Sequence, residues 1–559
     1  MTALGARSFT SEAIIAAPGP LDPVWLSLLD SCVVDENVGL PDVATLTFRD
    51  SNHDFLAKAD VTIGTKLEIS VKTVEDQELL FSGEVTALEL DSDPTGTFTV
   101  VRAQSLAHRL FRGRKVVAFN EMSAADIVRK VAAGAGLSVG RLDTAQITYQ
   151  QLSQANVSDW EFLQGLAQEH GVTLRVDQTS GQLELVRPEP AAGAPAPSTP
   201  AYANPFVLAY GDNLKALRAV LTSADQVDTV EVRGWDMTKK SALVATEPAV
   251  TSTTVVPGLK AKPSGAAARL VVTDTPYSTQ KETEVAASSL AASMSAGVGE
   301  FEAVANGDPR LKAGVPVALG NVGPAFSGKY TATAARHVLD RSGYRTTVLV
   351  SASPDRSLAG LVTGGNAPAR GPRLPGLAIG VVTDAKEPTG QRGWVRLKFP
   401  WLADDYVTDW VRTVQLGGHG GGGVFSPEVN DEVLVGFEQG CLDRPYVLGG
   451  LYNGVDHPSP HKVDGAAVPL VDDTSGKVNR RSLVSPGGQR LELLDKNGGP
   501  TGVRLATGDE KFEIRLDQQG KRIQLSVLGG GTITLTEQGI TLDAGAGELI
   551  LRGRIVRIN

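Results

Sequence analysis

Apolar and polar residues alternate strictly through the last part of the chain. Phe512, Ile514 and Leu516 are separated by Glu513 and Arg515, and Ile523, Leu525 and Val527 by Gln524 and Ser526. Ile533 and Leu535, Ile540 and Leu542, and Leu549 and Leu551 continue the pattern between Gly529, Gly539, Gly545, Gly547 and Gly553. A period of two puts each apolar set on one face of a strand. The strands are short and the turns between them leave no room for crossover helices, which predicts a ribbon with one greasy face and no second layer. Identical copies are the simplest cover for such a face. Residues 480–559 are therefore expected to form a stiff β-prism of several chains, with these twelve side chains as its core. Burying one side chain of this size is worth about 1.5–3 kcal/mol, and wrapped chains would also close each other's strand edges.

Upstream, the pattern mixes strands with a few helices. Strands are expected at 67–71, 79–90 and 98–104. A helix opens at the capping-box-like Ser123-Ala124-Ala125-Asp126, with Ile127, Val128 and Val131 on one face. A second opens at Asp159-Trp160-Glu161-Phe162-Leu163 and ends at His170-Gly171, with glycine as the C-cap. Strands at 229–234 and 346–351 surround an alanine-rich helix over 279–294. Five evenly spaced strands, at 376–383, 394–399, 409–414, 432–437 and 446–451, suit a small OB-type barrel. Two low-complexity stretches rich in Pro, Ala and Gly, at 188–205 and 364–376, read as exposed loops or linkers. The expected organisation is 1–187, linker or loop 188–205, 206–363, linker 364–375, barrel 376–456, connector 457–479 and ladder 480–559.

Composition narrows the class. A chain of 559 residues suggests several domains, and 42% hydrophobic content excludes wholesale disorder. With 61 glycines and only 5% aromatics, β-structure with tight turns is favoured over large helical cores. A net charge of −10 argues against general nucleic-acid binding, which wants a basic surface. Cys32 and Cys441 stand alone, with no zinc spacing and no disulfide framework, as expected for folding in a reducing cytosol. The first thirty residues carry no charged region followed by an apolar run, and no stretch approaches the roughly 18–20 apolar residues that span a bilayer. Assembly in the bacterial cytoplasm, without classical secretion, is the expectation.

The barrel region carries recognisable blocks. Gly393-Trp394-Val395-Arg396-Leu397-Lys398-Phe399-Pro400-Trp401 with Asp409-Trp410-Val411-Arg412, then Pro427-Glu428-Val429-Asn430-Asp431-Glu432-Val433-Leu434-Val435-Gly436-Phe437, then Asp443-Arg444-Pro445-Tyr446-Val447 through Tyr452-Asn453-Gly454, resemble VgrG-type spike proteins of contractile injection systems. Val157-Ser158-Asp159-Trp160-Glu161-Phe162-Leu163 through Gly171 resembles the helix of phage tail hub proteins, and Val230 to Asp236 the strand that opens the hub's second half. The run 399–405 looks closest to spikes of extracellular, phage-tail-like systems. The resemblance implies a mainly β fold: hub-like β-barrel domains, an OB-fold barrel and a C-terminal intertwined triple-stranded β-helix in a homotrimer.

That resemblance also implies partners: an inner tube protein, baseplate proteins, effector cargo and the target cell envelope. Particles of this kind can become extracellular on release. Some phage spikes hold a metal at the apex through an HxH motif. This chain has none in Arg554, Ile555, Val556, Arg557, Ile558 and Asn559, so these six residues are expected to seat a separate PAAR-type tip protein. No cofactor, metal or nucleic acid is implied.

Two strings could suggest catalysis. Gly136-Leu137-Ser138-Val139-Gly140 matches a nucleophile elbow, and His419-Gly420-Gly421-Gly422-Gly423 an oxyanion loop. The elbow requires strand, sharp turn, helix, whereas Ser138 is expected after a helix and before extended chain. The loop also follows the serine instead of preceding it. Asp404-Asp405 and Asp472-Asp473 could in principle act as acid and base, but nothing converges on them and they read as solvated turns. The short stretch between Tyr452 and Arg480 is too small for an inserted enzyme domain. The expectation is a structural, non-enzymatic spike. The alternatives are the hub of an intact contractile-tailed phage, a hydrolase-bearing spike and, less well supported by the sparse aromatics, a carbohydrate-binding adhesin.

Overall fold

The structure, a computed structural model, describes residues 11–73, 77–223, 226–257, 267–351, 373–374 and 376–558. It divides into two compact units, residues 1–450 and 451–559. Strands hold 45% of the residues and helices 12%, which bears out the mainly β expectation.

The first unit is organised by a ten-stranded antiparallel sheet. Its order is Glu12–Ala16, Lys66–Lys72, Gln77–Asp93, Gly96–Gln104, Val43–Arg49, Leu29–Asn37, Ala334–Asp340, Gly343–Val350, Gly299–Asn306 and Leu214–Leu221. Chain from both sides of the proline-rich stretch meets where Leu29–Asn37 pairs with Ala334–Asp340, with Cys32 opposite Leu339 and Val34 opposite His337. Alternation explains which side is covered. Val34, Ala44, Leu46, Phe48, Leu67, Ile69 and Val71 are all buried on one side, and Phe48 stacks on Phe55 with ring centroids 4.2 Å apart.

Each half of this unit carries a capped helix after a strand. In Asp159–His170, Ser158 and Glu161 form a reciprocal capping box, and Gly171 closes the end at φ 64°. In Gln280–Ala296, Thr279 and Glu282 form the same box. The two helices touch, and the Ser289 hydroxyl donates to the Gln168 carbonyl. A third helix, Ala124–Gly134, starts where Ser123 accepts the Asp126 N–H.

The stretch 188–205 is loop with one short 3-10 turn, Ala191–Gly193. It differs from a solvent-exposed joint in being packed: Ala191, Ala194 and Ala201 are buried, the last two against Val207 and Ala318. Lys329 donates to the Ala194 carbonyl at 2.6 Å and Thr331 to the Glu189 carbonyl at 2.7 Å. Small side chains let this backbone lie flat on the sheet, so composition alone mimics a linker. Of 364–375, only Arg373 and Leu374 are described, and Leu374 N–H bonds to the Gly440 carbonyl.

The barrel is a five-stranded sheet in the order Arg396–Lys398, Leu377–Asp384, Glu432–Phe437, Pro445–Gly450, Arg412–Thr413. Single bridges, Val395 to Val411 and Lys398 to Val407, close it. Closure by bridges rather than ladders is why two expected strands shrink to Arg396–Lys398 and Arg412–Thr413. Val382, Leu397, Phe399, Val433, Val435 and Val447 fill the interior.

The second unit contains a seven-stranded antiparallel meander whose strands follow one another in sequence order: Arg480–Val484, Arg490–Asp495, Thr501–Ala506, Phe512–Asp517, Arg522–Val527, Thr532–Thr536 and Gly539–Asp543. A small two-stranded hairpin, Lys462–Val463 with Ala466–Ala467, precedes it.

Candidate assembly surface

The register of the meander stacks its apolar side chains into two rows, one crossing all seven strands and the other crossing six. In one row Leu483 faces Leu491, Leu491 faces Leu505, and Leu505 faces Ile514. Ile514 then faces Leu525, Leu525 faces Ile533, and Ile533 faces Leu542. A parallel row runs Leu493, Val503, Leu516, Ile523, Leu535 and Ile540. Phe512 sits opposite Val527 at the margin. Cross-strand apolar pairs of this kind are the unit of sheet stabilisation.

These rows are open. Ile514 and Leu516 are 45% and 44% exposed, while Arg515 between them is 5% exposed. All twelve residues expected as a core (Phe512, Ile514, Leu516, Ile523, Leu525, Val527, Ile533, Leu535, Ile540, Leu542, Leu549 and Leu551) are exposed within the single chain. Leu491, Leu505, Ile514, Leu525, Ile533 and Leu542 contribute to the walls of an open groove of about 970 Å³. An apolar face of this extent marks an interaction surface. Covering the exposed half of each side chain is worth on the order of 1 kcal/mol per residue.

The strand expected across Leu549 and Leu551 does not form. The last strand ends at Asp543, whose carboxylate accepts the Gly545 N–H, and Gly547 N–H bonds back to Ala544. The Ala-Gly-Ala-Gly run turns the chain there, with Gly545 at φ 56°. Leu549 still lines the groove. Arg554, Ile555, Val556, Arg557 and Ile558 are exposed without regular structure, and Asn559 lies outside the described residues.

Over the first four strands of the ladder the polar face is the covered one, whereas Gln524 and Thr534 further on are half-buried and Thr541 is exposed. Glu492 has no exposure, and Arg480, Arg504, Arg515 and Asp517 are buried. The Arg504 guanidinium donates to Glu492 at 3.0 Å and to Glu513 at 2.6 Å. His461, in the segment before the ladder, pairs with Glu492 through Nδ1, and its Nε2 bonds the Ser459 hydroxyl at 2.8 Å. Burial, together with Arg480, Arg490 and Arg504, holds the His461 imidazole down at about 4. It is therefore neutral at ordinary pH, with Nδ1–H donating to the carboxylate and Nε2 accepting from the serine. Among the described residues Arg480 has no carboxylate partner, and it donates to the Val468 and Ser459 carbonyls and the Ser482 hydroxyl. The alternation pointed to the apolar rows but not to this cluster. The signal available was the set of arginines and glutamates, Glu492, Arg504, Glu513 and Arg515, all at inward-alternating positions.

The strings that could suggest catalysis are not assembled. Ser138 is exposed, after helix Ala124–Gly134 and before strand Val139–Leu142, which is the reverse of an elbow. His419 is exposed in a glycine loop where Gly417 and Gly422 touch backbone to backbone. Asp404 and Asp405 are exposed, and Asp472 accepts the N–H groups of Thr474 and Ser475 in a turn. Among the described residues no group of three or more His, Cys, Asp or Glu side chains converges as a metal-holding set. No described helix is long and apolar enough to cross a membrane.

Comparison with known proteins points the same way as the motifs. The family model described as the Alg8 N-terminal domain matches residues 37–340, more than half of the chain. That described as the type VI secretion system/phage-baseplate injector OB domain matches residues 378–452. The type VI secretion system spike protein VgrG2a of Pseudomonas aeruginosa is 28% identical over 224 residues, which is 34% of this chain and 25% of that protein. VgrG4b of the same organism is 33% identical over 162 residues, 26% of this chain and 19% of that protein. The chain thus spans a quarter or less of the length of these curated relatives. The half-lidded Francisella PdpA-VgrG complex superposes with a TM-score of 0.51 at 11% identity, covering 97% of this chain and 89% of that one, which is a likeness of fold.

Proposed function

Because the chain belongs to the family of the Alg8 N-terminal domain and joins that domain to an injector OB barrel, we propose that it is the central spike of a contractile, phage-tail-like injection particle. Three copies form the spike. The hub half adapts a six-fold inner tube and baseplate to three-fold symmetry, and the ladder of each copy contributes one wall of a needle that pierces the target envelope.

The observation that carries this reading is the sidedness of the ladder. Two apolar rows cross its strands uncovered, while over its first four strands the polar face is closed by the chain itself. A closed three-walled prism buries such rows on its axis, and strand edges disappear into neighbouring walls. The hub offers support of its own. Each half places one capping-box helix beside the other, at Asp159–His170 and Gln280–Ala296, so three chains would present six comparable elements. The spike acts mechanically, with sheath contraction supplying the work. The last residues, Arg554 to Asn559, seat a separate PAAR-type tip protein, and effector cargo travels with the spike.

Truncation before Arg480 tests the reading. Light scattering should show a trimeric full chain and a truncated chain that loses or markedly weakens the trimer. An unchanged oligomeric mass on truncation overturns it.

A further inference from the structure

We infer that the buried cluster of His461, Glu492 and Arg504 is the specificity lock of the ladder: it commits the polar face of the first strands to this chain's own collar and leaves the apolar face of those strands for further copies. The inference rests on the three-copy reading above and deepens it by naming the residues that decide which face assembles.

The collar is residues 459–468. It is shaped by a tight hairpin in which Asp464 and Gly465 both take positive φ, 50° and 76°, the backbone of a type I′ turn between Lys462–Val463 and Ala466–Ala467. Very little apolar surface holds it to the ladder: Val463, Val468 and Leu494 form the whole buried cluster there. Polar contacts do the rest. His461 and Arg504 bracket the fully buried Glu492. Arg480 reaches the Ser459 carbonyl at 2.8 Å, and Arg515 reaches Asp464 at 2.5 Å.

A buried ion pair contributes little net stability compared with apolar residues of the same volume, but it is costly to mispair. That asymmetry makes the cluster selective. A one-residue slip of Arg490–Asp495 against Thr501–Ala506 would turn Leu491 and Leu493 under the collar and Glu492 out to the opposite face. Arg504 would then be buried with only Glu513 of its two carboxylate acceptors, and His461 would lose Glu492 as its acceptor. The collar therefore accepts one register and one face. Without the cluster, a ladder with apolar side chains on both faces would present two assembly surfaces instead of one.

The test is a double substitution in the full chain, Glu492→Leu with Arg504→Met, read by native mass spectrometry beside the parent. The expected result is a parent of one trimeric mass and a variant that keeps its thermal midpoint but spreads over several oligomeric masses. A second pair guards against a simple failure to fold. His461→Asn, which keeps a side-chain donor for Glu492, should stay a single species, and His461→Leu should give the mixture. A trimeric parent whose double variant is equally uniform, or His461→Asn and His461→Leu behaving alike, overturns the lock and leaves the trimer reading standing. A monomeric parent overturns the trimer reading and the lock with it.

Discussion

The Gln151 side chain donates to the Tyr406 hydroxyl at 2.9 Å while its own carbonyl oxygen accepts the Asp409 N–H at 2.6 Å. One amide from the strand Thr148–Val157 thus grips the OB barrel at two points, and Ser153 on the same strand takes the Tyr406 hydroxyl from the side at 2.9 Å. All three side chains are buried. The barrel is consequently docked on the rest of the first unit by satisfied polar groups in a buried seam, where hydrogen-bond geometry matters.

Replacing Gln151 by Ala should loosen that seam. The Asp409 N–H loses its acceptor and the Tyr406 hydroxyl keeps only Ser153, at a cost of about 1–3 kcal/mol. Thermal unfolding of the hub–barrel unit should shift down, with Tyr406→Phe giving a smaller shift of the same sign. An unchanged melting temperature for Gln151→Ala would contradict the docking role.

The seam between the two halves of the ten-stranded sheet should be pH-sensitive. Glu36 accepts the Ala313 N–H at 3.1 Å, and Lys312 donates to the Leu79 carbonyl at 2.7 Å, so each side holds the other. Burial first, and then the neighbouring Asp42 carboxylate, push Glu36 up from 4.5 to about 8. Burial likewise pushes Asp42 up from 3.8 to about 7, against the hydrogen bond from Gln178 and the charges of Lys312 and Arg175. A carboxyl whose pKa is raised on folding binds its proton more tightly in the native state. Its stabilising contribution is complete below about 4 and is lost as pH climbs through about 7 to 8. The hub unit should therefore melt at a higher temperature at pH 5 than at pH 8.5, and Glu36→Gln should flatten the difference. A steeper slope in the variant would refute the assignment.

The apolar rows give the most direct test of assembly. A single Asp at Ile514 or Ile533 places a charge in the middle of the row and should reduce the oligomeric mass measured by light scattering. Asp at Gln524, on the other face, should leave it unaltered.

Gly502 is required by the ladder itself. It sits at φ 125°, and a Cβ there would overlap the Leu516 carbonyl oxygen of the neighbouring strand. Gly502→Ala should break pairing between Thr501–Ala506 and Phe512–Asp517. Hydrogen-exchange protection in those two strands should fall while the hub's stays constant.

The terminal segment makes a separate prediction. If the tip seats there, Asp at both Ile555 and Ile558 should leave the oligomeric mass intact and abolish capture of a PAAR-type tip protein in a pull-down. Normal capture would count against seating the tip there.

Much of the fold was legible because its signals are local. Ser158 with Glu161 and Thr279 with Glu282 mark helix starts by side-chain bonds that span only three residues. Glu432–Phe437 lies on the residues that alternation assigned to a strand. The resemblance of the barrel blocks to VgrG-type spikes is borne out by the injector OB match over 378–452. Other features hid because their cause is distant in sequence. Ala191, Ala194 and Ala201 look like linker residues until Val207 and Ala318 cover two of them. The strand expected through Leu549 and Leu551 fails because Asp543 and Gly545 turn the chain first.

By itself the sequence determined that the ladder has two unlike faces, since a period of two cannot do otherwise. It also determined where most strands and capped helices begin, because those choices are made within a few residues. It could not say which face the chain would cover. Alternation sets Glu492, Arg504 and Arg515 apart from the apolar rows without saying which side is covered, and they are the buried ones. Only the tertiary structure decided this, by folding His461, Val463 and Asp464 back over residues some thirty to fifty positions further on. The physical reason is that alternation specifies contrast between faces, whereas burial depends on what part of the chain, or of another chain, arrives to exclude the water.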